Sequence, residues 1–385
     1  MCGKLGLLPP PLWGRGGEGG GHNCRRARLP PSLCPPHKGG GTLWDQSSLC
    51  LFGMRVILTS LIIAVAAQIS VARAQDNFYA GKTVTIVVGY SAGGGYDIYA
   101  RALARHYGRH IPGNPNVIVQ NMPGAASMTS VRYLDATAPK DGTVITTFDP
   151  GLITQVLTSD KPVVNFADFQ WIGTLLRDIR ICYAWGATGI KTFGDMMSRK
   201  QFMIGTTAKG SNAYVNGAIL RNVFKAPVRQ ISGYPGSNEQ RLALERGELE
   251  GNCGSWTAMP QDWLVNKKIN PLLRFSAKRP ADMAPDVPYV LDLATTPEQK
   301  AVIDILNSPG ELGRPFIVAK QVPSERVATL RAALQATLKD EAFLAEAKKQ
   351  SLLLDPVEGE EAEKVTAQIY AAPPDLIRKA KEVLE

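Results

Sequence analysis

The chain has 385 residues, with 43 Lys+Arg, 34 Asp+Glu and a formal net charge of +9. The surplus sits at the front: positions 1–53 hold six Lys/Arg against two Asp/Glu, and Arg55 and Arg73 add two more, which leaves +3 on residues 75–385. That remainder carries no basic patch interleaved with aromatics, so nucleic-acid binding has no support, and its 311 residues suffice for two domains.

Residues 1–53 contain 12 Gly and 7 Pro with no periodic apolar pattern, above the roughly 25–30% Pro+Gly that marks low-complexity sequence. Such a stretch cannot bury enough apolar surface to fold. It reads as a non-native extension ahead of the true start, or as a disordered tail. Met54-Arg55 then opens "MRVILTSLIIAVAAQISVARAQ". One positive charge, an apolar core from Val56 to Ala67 and the small-x-small site Ala72-Arg73-Ala74 make a signal peptide over 54–74. The core is shorter than the ~20 residues that span a bilayer. The expectation is export to the periplasm and a mature chain from Gln75. Its two cysteines, Cys182 and Cys253, could pair in that oxidising compartment or stay as buried thiols.

The folded region begins with "VTIVVGYSAGGGYDIYARALARHY", Val84 to Tyr107. Gly89-Tyr90-Ser91-Ala92-Gly93 fits the G-x-S-x-G nucleophile elbow, which needs a histidine late in the chain. The four histidines are His22, His37, His106 and His110, so a hydrolase is disfavoured. The lack of G-K-[ST] excludes a P-loop, and the spacing is not that of a dinucleotide turn. His106 and His110, four apart on one helix face, lack partners for a metal site. What remains is a turn shaped to hold an anion. Gly93, Gly94 and Gly95 let backbone N–H groups approach a ligand, and Asp97 would cap the following helix.

Strands are predicted at Thr83–Val88, Asn116–Gln120, Thr143–Thr147, Ile181–Trp185, Phe202–Gly205, Val228–Ile231, Leu249–Cys253, Leu273–Ser276 and Pro315–Val318. Helix-length segments at Asp97–Arg109, Asn212–Phe224 and Ser237–Arg246 alternate with them, which argues for an α/β fold with largely parallel sheets. After Pro323, with Ser324 as cap, Val327, Leu330, Leu334 and Leu338 mark one face of a helix. Three further turns share the style of the first: Asn121 with Gly124, Ala125, Ala126 and Ser127; Thr206, Thr207, Gly210 and Ser211, with Ser211 or Asn212 as helix cap; and Gly233, Tyr234 and Gly236. Ligands in such sheets sit beyond the C-terminal strand ends. Together the turns suggest a cleft of amides and hydroxyls with no catalytic or metal set.

These residues resemble the substrate-binding receptors of tripartite tricarboxylate transporters, the Bug receptors. The matching stretches are the glycine turn with Asp97, "VIVQNMPGAAS", "DGTVITTF", "ADFQWIGTLL", "SGYPGSNEQRLALERGELEG" and "SAKRPADMAPDVPYV". Departures are Met122 for a usual arginine, Ala126-Ser127 for Gly-Gly, Thr206-Thr207 for serine and glycine, and Gly254 near a frequent aspartate. The resemblance implies a type II-like periplasmic binding protein with a ligand cleft between two domains. Its first domain would comprise residues 75–177 and 308–385, its second 178–307. It implies a monomeric receptor that takes up a small organic acid, uses no cofactor or metal, and delivers the acid to integral membrane transporter subunits. A sensor presenting the bound acid to a membrane signalling protein is the alternative.

The ligand carboxylate is expected at the N–H groups of Gly93–Gly95. Gly124 to Ser127 would complete that wall, with Thr206, Thr207, Ser211 and Tyr234 closing from the second domain, no arginine involved, and Tyr96 and Trp256 as aromatic walls. Gly94→Val is expected to abolish binding.

Overall fold

Ten strands are present among residues 78–385, the part of the chain that the computed structural model describes. The extension and the signal segment of the sequence reading lie outside the described residues. The strands are β1 Thr83–Val88, β2 Asn116–Asn121, β3 Val144–Thr147, β4 Gln170–Leu176, β5 Ile181–Trp185, β6 Phe202–Gly205, β7 Val228–Ile231, β8 Gly251–Asn252, β9 Ile269–Arg274 and β10 Gly313–Val318. They form two five-stranded sheets, ordered β2-β1-β3-β10-β4 and β7-β6-β8-β5-β9. Central strands read as apolar runs because helices cover both faces. In β1, Val84, Ile86, Val87 and Val88 are buried, and every residue of β10 is buried. This is the mixed α/β, two-domain architecture that the sequence implied.

The sheets are mixed rather than largely parallel. β1 runs parallel to β2 and β3, and β6 parallel to β7 and β8. β10 is antiparallel to β3 and β4, and β5 to β8 and β9. The reason is where the chain changes sheet. Residues 177–180 join β4 to β5, and residues 308–312 lead into β10. A strand that starts at such a crossing runs away from the cleft, against strands that end there. The two crossings are bonded together, Asp178 N–H donating to the Gly310 carbonyl at 2.9 Å.

Segment 308–385, expected wholly with the first domain, divides. The helix Ser324–Thr337 buries Val327, Leu330 and Leu334 on the first core, as their spacing predicts, with Pro323 and not Ser324 at its cap. The last helix, Pro374–Leu384, instead places Ala380 and Leu384 in the second core. Among the described residues no helix is long and apolar enough to cross a membrane.

Cys182 and Cys253 form a disulfide, which joins β5 to the end of β8. Denatured protein alkylated without reductant should give a linked peptide pair from these two positions. Recovery of both as alkylated thiols in mass spectrometry would contradict the bond.

Candidate functional site

Each candidate loop leaves the C-terminal end of a strand. After β1 the chain makes its glycine turn and enters the helix Gly95–Tyr107, whose cap is Gly94 in extended backbone. Asp97 is therefore not the cap; it lies in the first turn and reaches back. Its buried carboxylate accepts the Gly93 N–H at 2.9 Å, Asn121 Nδ2 at 2.9 Å and Arg101 Nε at 2.9 Å. Burial works to raise its pKa, but Arg101, the Gly93 N–H and Asn121 outweigh burial, and the carboxyl titrates below its ordinary value. Asp97 and Asn121 thus hold the turn from behind, and the Gly93 N–H assigned to a ligand is already used.

Ser91 is equally engaged. Its hydroxyl donates to Glu239 at 2.8 Å, and its N–H donates to the Pro235 carbonyl at 3.3 Å. His106 and His110 face Glu346 and Asp340 at 2.6 and 2.8 Å, not Ser91. Ser91→Ala should leave no esterase activity to lose and, because its hydroxyl bonds Glu239 of the other lobe and not a ligand, should weaken ligand binding by ~3 kcal/mol at most, through a less stable closed cleft. Ester hydrolysis by the native protein, lost in the variant, would contradict this.

A cavity of about 80 Å³ lies between the two sheets. Gly94, Gly95, Tyr96 and Asp149 border it from the first lobe, Thr207, Ser211 and Asn212 from the second. A second cavity, about 290 Å³, is bordered by Gly124, Ala125, Ala126 and Tyr234. Tyr90 and Thr207 form the wall common to both. The structure thus divides the sequence-predicted residues between two chambers. Ser91, Ala92, Gly93, Asp97, Asn121, Ser127, Thr206 and Gly210 border neither. The Ser127 hydroxyl accepts the Asp149 N–H at 3.3 Å, and the Thr206 hydroxyl bonds Ser232 at 2.8 Å. Ser211 is the cap of the helix Asn212–Ala218. Tyr96 borders the first cavity as expected of an aromatic wall, whereas Trp256 borders a neighbouring groove of about 630 Å³.

Ala125, Ala126 and Ser127 have φ of 45°, 54° and 79°. Three successive left-handed non-glycine residues cost ~1–2 kcal/mol each, where the family resemblance has Gly-Gly for the last two.

The sequence reading placed no arginine in the binding loops. Arg314 and Arg241 both border the first cavity. Arg314 lies on β10 with φ 53° and is 1% exposed. Its guanidinium sits 4.3 Å from the Tyr96 ring centroid, a cation–π distance. Nη2 donates to the Ser255 and Thr257 hydroxyls, each at 3.2 Å, and Nη1 lies 3.9 Å from Asp178 Oδ2. Burial alone would lower its pKa; Asp178, then the tyrosines and Asp149, reverse this, so the group stays charged with its pKa raised. Asp178 Oδ2 also lies 4.0 Å from the Nε of buried Arg180, and its Oδ1 accepts the Ser255 hydroxyl at 2.5 Å.

Asp149 follows β3. Burial raises its pKa above the ordinary carboxylate value; Arg180, the N–H groups of Asn212 and Gly151, and the Tyr90 hydroxyl offset that only in part. Burial and then the Asp149 charge hold the Tyr96 phenol well above its usual range, with Arg314 opposing, so Tyr96 feels both groups. Four buried polar atoms at this cavity have no protein partner: Tyr96 Oη, Thr207 Oγ1, Asn212 Oδ1 and Arg314 Nε. Each costs ~1–3 kcal/mol unless something bonds it. The lobes are also hydrogen-bonded across the cleft, Arg241 Nη2 to the Gly93 carbonyl at 2.9 Å and Asn212 N–H to Asp149 at 3.1 Å.

No family model matches the chain. A UPF0065 protein of Agrobacterium vitis is 25% identical over 243 residues, 61% of this chain and 66% of the relative. A UPF0065 protein of Cupriavidus necator is 40% identical over 68 residues, 18% of this chain and 20% of the relative. The matches therefore span less than two thirds of these curated relatives. Among solved structures, the periplasmic binding protein BugD superposes with a TM-score of 0.64 at 20% identity, covering 79% of this chain and 98% of that one. MatC of Rhodopseudomonas palustris with bound malate gives 0.62 at 19%, covering 79% and 99%. An R. palustris protein with adipate gives 0.61 at 20%, covering 79% and 96%. A TctC solute-binding protein of Polaromonas also matches, at 0.53 and 22% identity over 78% of this chain and 99% of that one. The structural neighbours are thus Bug and TctC periplasmic binding proteins, and the chain has their fold, as the six motifs in its sequence implied.

Proposed function

We propose that the protein is a periplasmic solute-binding receptor, not an enzyme, that closes on a small organic carboxylate and delivers it to the membrane subunits of a tripartite tricarboxylate-type transporter. One observation carries the reading: charged Arg314 is buried at a small cavity between the lobes, beside unpartnered Tyr96 and Asn212. A buried guanidinium that keeps its charge suits a carboxylate. The malate and adipate of the neighbours support the ligand class. In this reading the acid lies against Gly94 and Gly95, its carboxylate toward Arg314 and Arg241, while Thr207 and Ser211 close from the second lobe. The loop Gly124 to Ala126 and Tyr234 bound the adjoining chamber, which receives any longer chain. The hinge comprises residues 177–180 and 308–312. A thermal-shift screen of the purified protein against small carboxylates tests it. A binder at 100 times its Kd adds ~2.7 kcal/mol of apparent stability; a screen in which no carboxylate shifts the melt contradicts the proposal.

A further inference from the structure

Asp149 places a carboxylate of the protein's own inside an anion-binding cleft. Its Oδ1 accepts the Gly151 N–H at 2.9 Å, and its Oδ2 accepts the Tyr90 hydroxyl at 2.8 Å and, from the opposite lobe, the Asn212 N–H at 3.1 Å. It accepts three hydrogen bonds and donates none, the pattern of an ionised carboxylate. The Asn212 N–H follows the hydroxyl-bearing loop Thr206–Ser211 and is one of the donors an anion in this cavity could use. Asp149 has taken it. Arg314 lies over the Tyr96 ring, 4.3 Å from its centroid. The cavity therefore has a cationic side, Arg314 with Arg241, and an anionic pole, Asp149.

We propose that Asp149 is a specificity-determining residue, so that the cavity takes a carboxylate whose second polar group donates hydrogen bonds, an ammonium or a hydroxyl, and rejects a second carboxylate. The inference rests on the carboxylate-receptor reading and narrows it. A carboxylate of ionised Asp149 keeps lone pairs for a further donor. A ligand's second carboxylate would instead meet a like charge where about 80 Å³ of space leaves little water to screen it. The unpartnered Tyr96 hydroxyl, at the same cavity, can donate to or accept from such a ligand.

The test is calorimetric titration of the purified protein at neutral pH with 4-aminobutyrate, 4-hydroxybutyrate, butyrate, succinate and glutarate. The native protein should bind the two donor-bearing acids at least about tenfold more tightly than succinate or glutarate. Asp149→Asn and Asp149→Ser, which remove the charge, should narrow that ratio below about threefold, chiefly by gaining the dicarboxylates. Native protein that binds succinate or glutarate as tightly as 4-aminobutyrate overturns the inference, as does a folded Asp149 variant that keeps the full ratio. If neither variant folds, the native order alone decides. Failure of all five acids, and of the wider carboxylate screen, overturns the receptor reading beneath it.

Discussion

Asp178→Asn should lower the free energy of unfolding by about 3–5 kcal/mol in a urea melt, the cost of removing one partner from a buried charge cluster. Asp178 stands between two guanidiniums, Arg180 Nε at 4.0 Å and Arg314 Nη1 at 3.9 Å. Both arginines are 1% exposed. Neutralising the carboxylate leaves two like charges facing each other away from water, and it weakens the hold on Ser255, whose hydroxyl bonds Asp178 at 2.5 Å. The cluster lies where the two crossings meet, so the loss falls on the joint between the lobes. A surface pair gives the contrast. Arg378 and Glu382 are 59% and 62% exposed at 3.0 Å, and Arg378→Ala should change stability by ~1 kcal/mol or less. A loss below ~1 kcal/mol for Asp178→Asn would mean that the buried charges are not coupled as described.

Gly95→Val should weaken ligand binding at least about 100-fold, roughly 2.7 kcal/mol, while the protein still folds. A Cβ at Gly95 would stand 2.9 Å from Arg314 Nη2, 3.0 Å from Ala258 Cβ and 3.5 Å from Ala258 Cα. It would therefore press on the cationic side and on second-lobe backbone that cannot step aside without opening the cleft. Gly95 is the first residue of its helix and needs no left-handed backbone, so the fold tolerates a side chain there. Gly94, where the sequence placed this test, is more forgiving: its Cβ would meet the Ser237 hydroxyl at 3.0 Å, a side chain that can rotate. Binding by calorimetry and helicity by circular dichroism check the pair. A folded Gly95→Val that binds at native strength would show that the cleft does not close over this turn.

The fold was legible where local chemistry and burial agree. β1, β5, β6 and β7 fall where their β-branched or aromatic runs predict, because each run is bounded by glycine or turn residues. β4 was missed as a strand although "QWIGTLL" is nearly all buried; a strand covered on both faces loses its alternation, and Gly173 in its middle reads as a break. β9 starts four residues before its predicted position and contains Pro271, a residue that argues against a strand.

The lining of the candidate cavities was half legible. Gly94, Gly95, Thr207 and Ser211 could be found because small and hydroxyl residues cluster at strand ends, and all four border the cavity. Asp97 and Asn121 were found for the same reason, yet they turn inward to brace the loop. Arg314 and Asp149 come from elements far apart in sequence, and only folding shows that they share a cavity with Tyr96. The signal for Arg314 was present: a charged residue inside the buried run "GRPFIV" is costly unless paired or functional.

Calorimetric titration of the purified native protein with the best carboxylate from the thermal screen, repeated on an Arg314→Lys variant, tests the central claim most directly. The native protein should bind one equivalent, and the variant, which keeps the charge but loses the planar fork over Tyr96, should bind at least about tenfold more weakly, a difference of ~1.4 kcal/mol. No binding of any carboxylate by the native protein, or equal affinity in a folded Arg314→Lys variant, would contradict a receptor that holds its ligand's carboxylate at this buried arginine.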